Sequence, residues 1–251
     1  MKGPGVFSRS EVKLFDSLIQ TYEKHSAQIS LFRDQLLIAL SSSSDLGKLV
    51  HSMRSRLKNP DHLRDKLQRK MLKCRVTHEP FDVRPENLLV KINDLVGVRI
   101  LHLYTRQIRL IDTSIREILQ EAKYELLEGP FARTWDDESR SFFQQCGIAT
   151  QESPSMYTSV HYVIGSASKT KVTAEIQVRT LMEEVWGEVD HAVNYPLPIQ
   201  SLPCSEQLKV LARITSSASR LVDSIFASVD DHRSTPKGTE RGAVPRRHER
   251  H

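Results

Sequence analysis

Two carboxylates are placed to do chemistry. Asp94 opens an apolar run, Asp94-Leu-Val-Gly-Val-Arg-Ile-Leu-His-Leu103, and Glu175 sits inside Val172-Thr-Ala-Glu-Ile-Gln-Val-Arg179. Paired acidic oxygens at strand edges suit Mg²⁺, a hard cation that takes few protein carboxylates and fills its shell with phosphate oxygens and water. A carboxylate beside a sugar hydroxyl can also act as general base. Taken singly, each has a plainer reading: Asp94 as a strand-start cap, Glu175 as an ion-pair partner of Arg179.

A basic segment precedes them. In Arg54-Ser-Arg56-Leu-Lys58-Asn59-Pro60-Asp61-His62-Leu-Arg64-Asp-Lys66, the Asn59-Pro60 pair reads as an N-cap followed by proline at the first helical position. A helix start offers unpaired N–H groups and partial positive charge, so the segment outlines an anion site. On the helix, His62, Lys66 and Arg69 share one face and Leu63, Leu67 and Met71 another; the basic face is either solvated or turned to a polyphosphate. Tyr157 and His161 form a third feature. An aromatic at a strand start can stack on a base, and a His along the same face can reach phosphates; a half-buried Tyr and a satisfied His are the plainer alternative. No Walker-type or dinucleotide-binding glycine pattern occurs.

The elements that must position these residues follow from periodicity. Near-helical spacing of Leu14, Leu18, Ile19, Tyr22, Ile29, Phe32, Leu36 and Leu37 predicts helix behind a Ser10 cap, with a break at Ser41–Ser44. Further helices are expected over Pro60–Lys73, Ile108–Leu127, Thr180 to a stop at Tyr195-Pro196, and Ser205–Asp230. Strands are expected over Asp94–Leu103, Tyr157–Ile164 and Val172–Arg179, the last two forming a hairpin. Alternation puts Glu175, Gln177 and Arg179 on one face and Ala174, Ile176 and Val178 on the other. Residues from Glu128 to Pro154 read as an irregular loop. The whole is an α+β chain: a helical extension over 1–46, a mixed β-sheet domain flanked by helices over 47–200, a C-terminal helix over 201–232, and a disordered basic tail over 233–251.

Composition narrows the function. The net charge of +5 comes mostly from the tail, whose six basic and two acidic residues leave the rest near neutrality, which argues against generic duplex binding. No apolar run approaches a membrane span and no signal-peptide core opens the chain, so a cytoplasmic location is expected. Cys74, Cys146 and Cys204 form neither a disulfide framework nor a metal half-site.

The motifs Arg56-x-Lys58-x-x-x-His62-x-x-x-Lys66, Asp94-Leu-Val-Gly97-Val-Arg99, Tyr157-Thr-Ser159-Val-His161, Glu175-Ile-Gln177-Val-Arg179-Thr180 and Trp186-x-x-x-Asp190-His191-x-x-x-Tyr195 resemble, in order and spacing, the RelA/SpoT alarmone synthetase domain. The resemblance covers roughly Gly47 to Pro196 and implies a nucleotidyltransferase-like sheet of the stand-alone small synthetase type. It implies a GTP pyrophosphokinase-like enzyme moving the β,γ-pyrophosphate of ATP to the 3′-hydroxyl of GDP or GTP with Mg²⁺, and no hydrolase. Carried over by position, Arg54, Arg56, Lys58 and Lys66 would grip the donor phosphates. Asp94 would bind the metal, and Glu175 would activate the acceptor hydroxyl and share the metal. Tyr157 would stack on the acceptor base, with His161, Gln177 and Arg179 lining the acceptor site.

The chain departs from the family pattern on the acceptor side. His62 stands where Ser is usual, Met156 where Gly is, and Cys146–Ser155 contains no Lys or Arg. Arg106, Arg109 and Arg133 are candidates to replace that charge. Family variants act on the tRNA 3′ end or on adenine nucleotides, and a catalytically silent nucleotide-sensing module is the non-enzymatic alternative. A homo-oligomer and an antitoxin are the implied protein partners.

Overall fold

The computed structural model describes residues 7–194 and 199–234. Nine helices and six strands follow one another among these residues: α1 (Arg9–Lys24), α2 (Ser26–Ser42), α3 (Ser44–Leu49), β1 (Val50–Leu57), α4 (Pro60–Thr77), α5 (Leu88–Lys91), β2 (Val96–His102), α6 (Ile108–Glu121), β3 (Glu125–Thr134), α7 (Asp137–Gln145), β4 (Ala149–Glu152), β5 (Ser159–Gly165), β6 (Thr173–Thr180), α8 (Leu181–Asn194) and α9 (Leu202–Ser234). The strands make one mixed sheet in the order β1-β2-β6-β5-β3-β4. Pairing is parallel for β2/β6 and β3/β4 and antiparallel elsewhere.

One face of the sheet is apolar. Val96, Val98 and Ile100 on β2, Ala174, Ile176 and Val178 on β6, and Val160, Tyr162 and Ile164 on β5 are all buried. They join a core to which α1 and α2 bring Phe15, Leu18, Ile29, Phe32 and Leu36, α4 brings Leu63 and Leu67, and α6 brings Ile111 and Ile115. The hydroxyl of Tyr162 donates to Asp112 on α6 at 2.9 Å, which satisfies the one polar atom that side chain carries into the core. The other face carries the charged residues.

The expected mixed sheet with flanking helices is present, with local differences. Ser8, and not Ser10, caps α1, closing a capping box with Glu11. The first helical stretch is broken at His25, between α1 and α2. Asn59 caps α4 as expected, accepting from the N–H groups of Asp61 and His62 at 2.8 and 3.4 Å, and the helix runs on to Thr77. Strand β1 has no sequence signature because it is an edge strand without a buried residue. Helix α6 stops at Glu121, and Lys123 at φ 56° turns the chain into β3.

The stretch expected as a loop, Glu128 to Pro154, contains the second half of β3, then α7 and β4. Gly129-Pro130 interrupts the apolar alternation, and the pairing of β3 with β5 slips between Leu126 and Phe131, so no regular strand pattern is legible there. Helix α9 starts at Leu202 and continues to Ser234. The expected stop at Tyr195-Pro196 and the tail beyond Ser234 lie outside the described residues. Among the described residues, no helix is long and apolar enough to cross a membrane.

Candidate active site

The polar face of the sheet forms the floor of a cleft of about 580 Å³, walled on one side by α8. Register writes its floor in rows. Arg54 on β1 faces Arg99 on β2, which faces Gln177 on β6, then His161 on β5, then Phe131 on β3. In the next row Arg56 faces Gly97, which faces Glu175. The Arg56 side chain lies over Gly97: a Cβ there would meet its Cγ and Nε at 3.4 and 3.5 Å, ordinary van der Waals contact.

Asp94 enters the cleft just before β2. Lys58 Nζ donates to its Oδ2 at 2.7 Å and Lys66 Nζ to its Oδ1 at 2.6 Å. Burial alone would raise the Asp94 carboxyl, but attraction to Lys66 and Lys58 outweighs it and holds the group below its ordinary value. Both lysines reach the cleft through this carboxylate. Lys58 is itself positioned from α1, since the Tyr22 hydroxyl donates to the Lys58 carbonyl at 2.5 Å.

Glu175 is held from two sides. His161 Nδ1 lies 2.8 Å from Oε1, and Gln177 Nε2 donates to Oε2 at 3.0 Å. Burial opposes the charge, yet the His161 and Gln177 bonds keep the carboxyl below its ordinary value despite repulsion from Asp94. An ionised carboxylate only accepts, so the His161 proton is on Nδ1. The His161 ring is buried, stacked at 5.3 Å on Phe131, and its Nε2 has no hydrogen-bond partner among the described residues.

Tyr157 lies half-buried at the other end of the cleft. The Arg179 guanidinium sits 5.3 Å from its ring centroid, Trp186 tilts beside it at 6.2 Å, and its hydroxyl lies 3.5 Å from Gln177 Oε1. Arg179 is buried and paired with Glu184, whose other oxygen accepts from Arg99 at 2.7 Å; Arg99 also reaches Glu188 at 2.5 Å. Gly187 makes room for this arrangement, since a Cβ would stand 2.6 Å from Arg179 Nη1.

Eight of the ten residues selected from the sequence, Arg54, Arg56, Asp94, Tyr157, His161, Glu175, Gln177 and Arg179, line the cleft, and Lys58, the ninth, bonds to Asp94 from behind it. Lys66, the tenth, does the same from α4. Of the three replacement cations, Arg133 lines the cleft. Arg106 instead lies against α9, its backbone N–H on Asp223, and Arg109 is exposed on α6 away from the lining. Sequence reasoning missed Arg99, Glu184, Glu188 and Gly187. The signal was available: Glu184 and Glu188 are like charges at i, i+4 on one helix, an arrangement that calls for an external cation.

The donor set fits a divalent cation in kind. Asp94 and Glu175 are close enough for one charge to weigh on the other, and both present hard oxygen ligands. Among the described residues no group of three or more His, Cys, Asp or Glu side chains is placed to hold a metal ion.

The fold is a mixed sheet flanked by helices, with two carboxylates gathered among arginines and lysines at one cleft. The comparisons give the family. The profile described as "Region found in RelA / SpoT proteins" matches residues 55–199, so the chain belongs to the RelA/SpoT family. Its fold is shared with a GTP pyrophosphokinase family protein from Streptococcus pneumoniae (17% identity, TM-score 0.51, covering 90% of this chain and 97% of that one). The small alarmone synthetase 1 from Bacillus subtilis is similar at 16% identity and TM-score 0.51, covering 89% of this chain and all of that one. The small alarmone synthetase 2 from the same organism gives 18%, 0.51, 86% and 97%. A search of curated proteins found no match. The family is one of alarmone synthesis, and pyrophosphokinase-like transfer is its general chemistry.

Proposed function

We propose that this chain moves the β,γ-pyrophosphate of ATP to the 3′-hydroxyl of GDP or GTP. The acceptor oxygen attacks the β-phosphorus, the bond from that phosphorus to the α,β-bridging oxygen breaks, AMP leaves, and the hydroxyl proton passes to Glu175. The observation that carries the reading is the pair of rows on the cleft floor, with a half-buried, ionised Glu175 near Asp94 and in the row of Arg56, which forms no ion pair among the described residues. Such a reaction needs charge neutralisation along a polyphosphate, in-line placement and removal of one proton.

In this reading Arg54, Arg56, Lys58 and Lys66 hold the donor phosphates, and the two lysines exchange Asp94 for phosphate when the donor enters. Asp94 and Glu175 would hold Mg²⁺, which when bound supplies neutralising charge to the polyphosphate. Tyr157 stacks on the acceptor base, and Gln177 and Arg179 fix the ring and the carboxylate that surround it. His161 keeps the Glu175 oxygen aimed.

One observation favours a second class of acceptor, the tRNA 3′ end or an adenine nucleotide. On the acceptor side Arg99 and Arg179 are already neutralised by Glu184 and Glu188, leaving Arg133 as a cation for acceptor phosphates. Purified protein incubated with γ-labelled ATP and, separately, GDP, GTP, AMP, ATP or deacylated tRNA divides the two. Label on a guanine nucleotide is expected, and Glu175→Ala should lower transfer by about 10²–10⁴-fold with the fold retained. Normal turnover by a folded Glu175→Ala protein would remove Glu175 from the chemistry.

A further inference from the structure

Two consecutive residues of α8 reach the acceptor end of the cleft from opposite sides. Glu184 acts from within, through Arg179, whose guanidinium lies 5.3 Å from the Tyr157 ring centroid. Glu183 turns behind the sheet, where it is buried and forms no ion pair among the described residues. A Met or Leu at that position would pack without the cost of desolvating a carboxyl. What the carboxyl adds is an acceptor: its Oε2 takes the Thr158 N–H at 3.3 Å.

That donor meets no backbone acceptor among the described residues. Strand β5 begins one residue later, at Ser159, whose pairing with Arg133 is the last rung of the β3/β5 ladder. Thr158 is itself buried, so without Glu183 its N–H would be left unsatisfied. The chain just upstream is strained. Met156 stands at φ 55°, a left-handed conformation that a residue bearing a Cβ adopts at a cost and keeps only where its surroundings hold it. Ser153 supplies one restraint: its hydroxyl accepts from the Tyr157 N–H at 3.2 Å, while its own N–H donates to the Thr134 carbonyl at 3.1 Å. Glu183 supplies the next, one residue past Tyr157. The Tyr157 hydroxyl adds only its 3.5 Å contact with Gln177, so these backbone ties decide where the ring stands.

We propose that Glu183 is a positioning residue for the acceptor: by holding the Thr158 N–H from behind the sheet, it fixes the backbone that presents the Tyr157 ring to the cleft. The inference rests on the reading of Tyr157 as the platform for the acceptor base. Glu183 does not line the cleft, and the donor side is built from β1, α4 and Asp94. Its influence therefore falls on the acceptor and not on ATP.

Two variants separate this role from simple support of the fold. Glu183→Met keeps the length of the side chain and removes the acceptor oxygen, whereas Glu183→Gln retains an oxygen for Thr158. Steady-state kinetics use ATP and the acceptor that takes the label in the transfer assay. Glu183→Met should raise the acceptor KM about 3- to 10-fold, the loss of one hydrogen bond, and leave the ATP KM unchanged; Glu183→Gln should restore the wild-type value. Hydrogen exchange at the Thr158 amide, read by NMR without substrate, should be faster in the Met variant and slow in the Gln variant. An unchanged acceptor KM in folded Glu183→Met, equal rises in both KM values, or a Gln variant no better than Met would each overturn the proposal. A wild type that transfers nothing would refute the reaction and leave this inference readable by calorimetry with GDP and ATP. Glu183→Met should then weaken GDP alone, and undiminished GDP binding by the variant, or no GDP binding by the wild type, would overturn it.

Discussion

Tyr157 shows how one side chain on the acceptor side is defined by its neighbours. Its ring is flanked by Arg179 and Trp186, while its hydroxyl makes only a long contact with Gln177. If the ring stacks on the acceptor base, Tyr157→Ala should raise the acceptor KM by about 5- to 150-fold, the equivalent of about 1–3 kcal/mol of stacking, and leave the ATP KM alone. Tyr157→Phe should stay near wild type. Steady-state kinetics with each substrate varied in turn will decide, and equal rises in both KM values would contradict the role. At this scale the sequence was informative about which residues gather but not about how they are held. Asp94 and Glu175 were legible from their apolar contexts. The lysine pair on Asp94 and the His161 bond beneath Glu175 depend on contacts between segments far apart in the chain, and no local pattern reports them.

Helix α8 sets two glutamates to opposite tasks. Glu184 faces the cleft and ties Arg99 to Arg179; Glu183 turns behind the sheet, where it accepts from the Thr158 N–H at 3.3 Å. The sequence suggested a capping box from Thr180 to Glu183, and half of it forms. The Thr180 hydroxyl accepts from the Glu183 N–H at 3.2 Å, but the Glu183 side chain goes to Thr158 instead of closing the box.

Burial, opposed by the Thr158 bond and reinforced by Asp136, raises the Glu183 carboxyl to about 7. The folded protein therefore holds this proton more tightly than the unfolded chain. Its contribution to stability is full below the ordinary glutamate range, falls as pH rises from about 4.5 to about 7, and is flat above, with at most about 3 kcal/mol at stake. Glu183→Gln should flatten the melting-temperature profile across that window and be more stable than wild type at pH 8; an unchanged slope would count against the buried acid.

Gly187, one turn on, supplies an element-scale test of the cleft. Glycine-to-alanine in a helix interior ordinarily stabilises by up to about 1 kcal/mol. Here the added Cβ meets Arg179 Nη1 at 2.6 Å. Gly187→Ala should thus melt lower than wild type and lose acceptor affinity, because the guanidinium is displaced from Tyr157 and from its buried partner Glu184. Full activity would show that the Arg179 position is not critical. Elements were legible where alternation or helical spacing was clean, as in β5, β6 and α4. They were hidden at edge strand β1, whose face is polar, and in β3, where Gly129-Pro130 and the slipped register break the pattern.

Across the whole molecule, the site is assembled from β1, β2, β3, β5, β6 and α8, with Lys66 reaching in from α4, and the core beneath joins α1 and α2 to the same sheet. Family membership and fold agree with the sequence reading, and the charge that matters is local and not net. The central claim is that pyrophosphate moves intact from ATP to a 3′-hydroxyl. The most direct test is the product balance with ATP and GDP or GTP as substrates, read by ³¹P NMR. One AMP should appear for each guanine nucleotide carrying a 3′-pyrophosphate, and neither should appear with Glu175→Ala. Release of ADP with inorganic phosphate, or AMP with free pyrophosphate and no modified acceptor, would contradict the account.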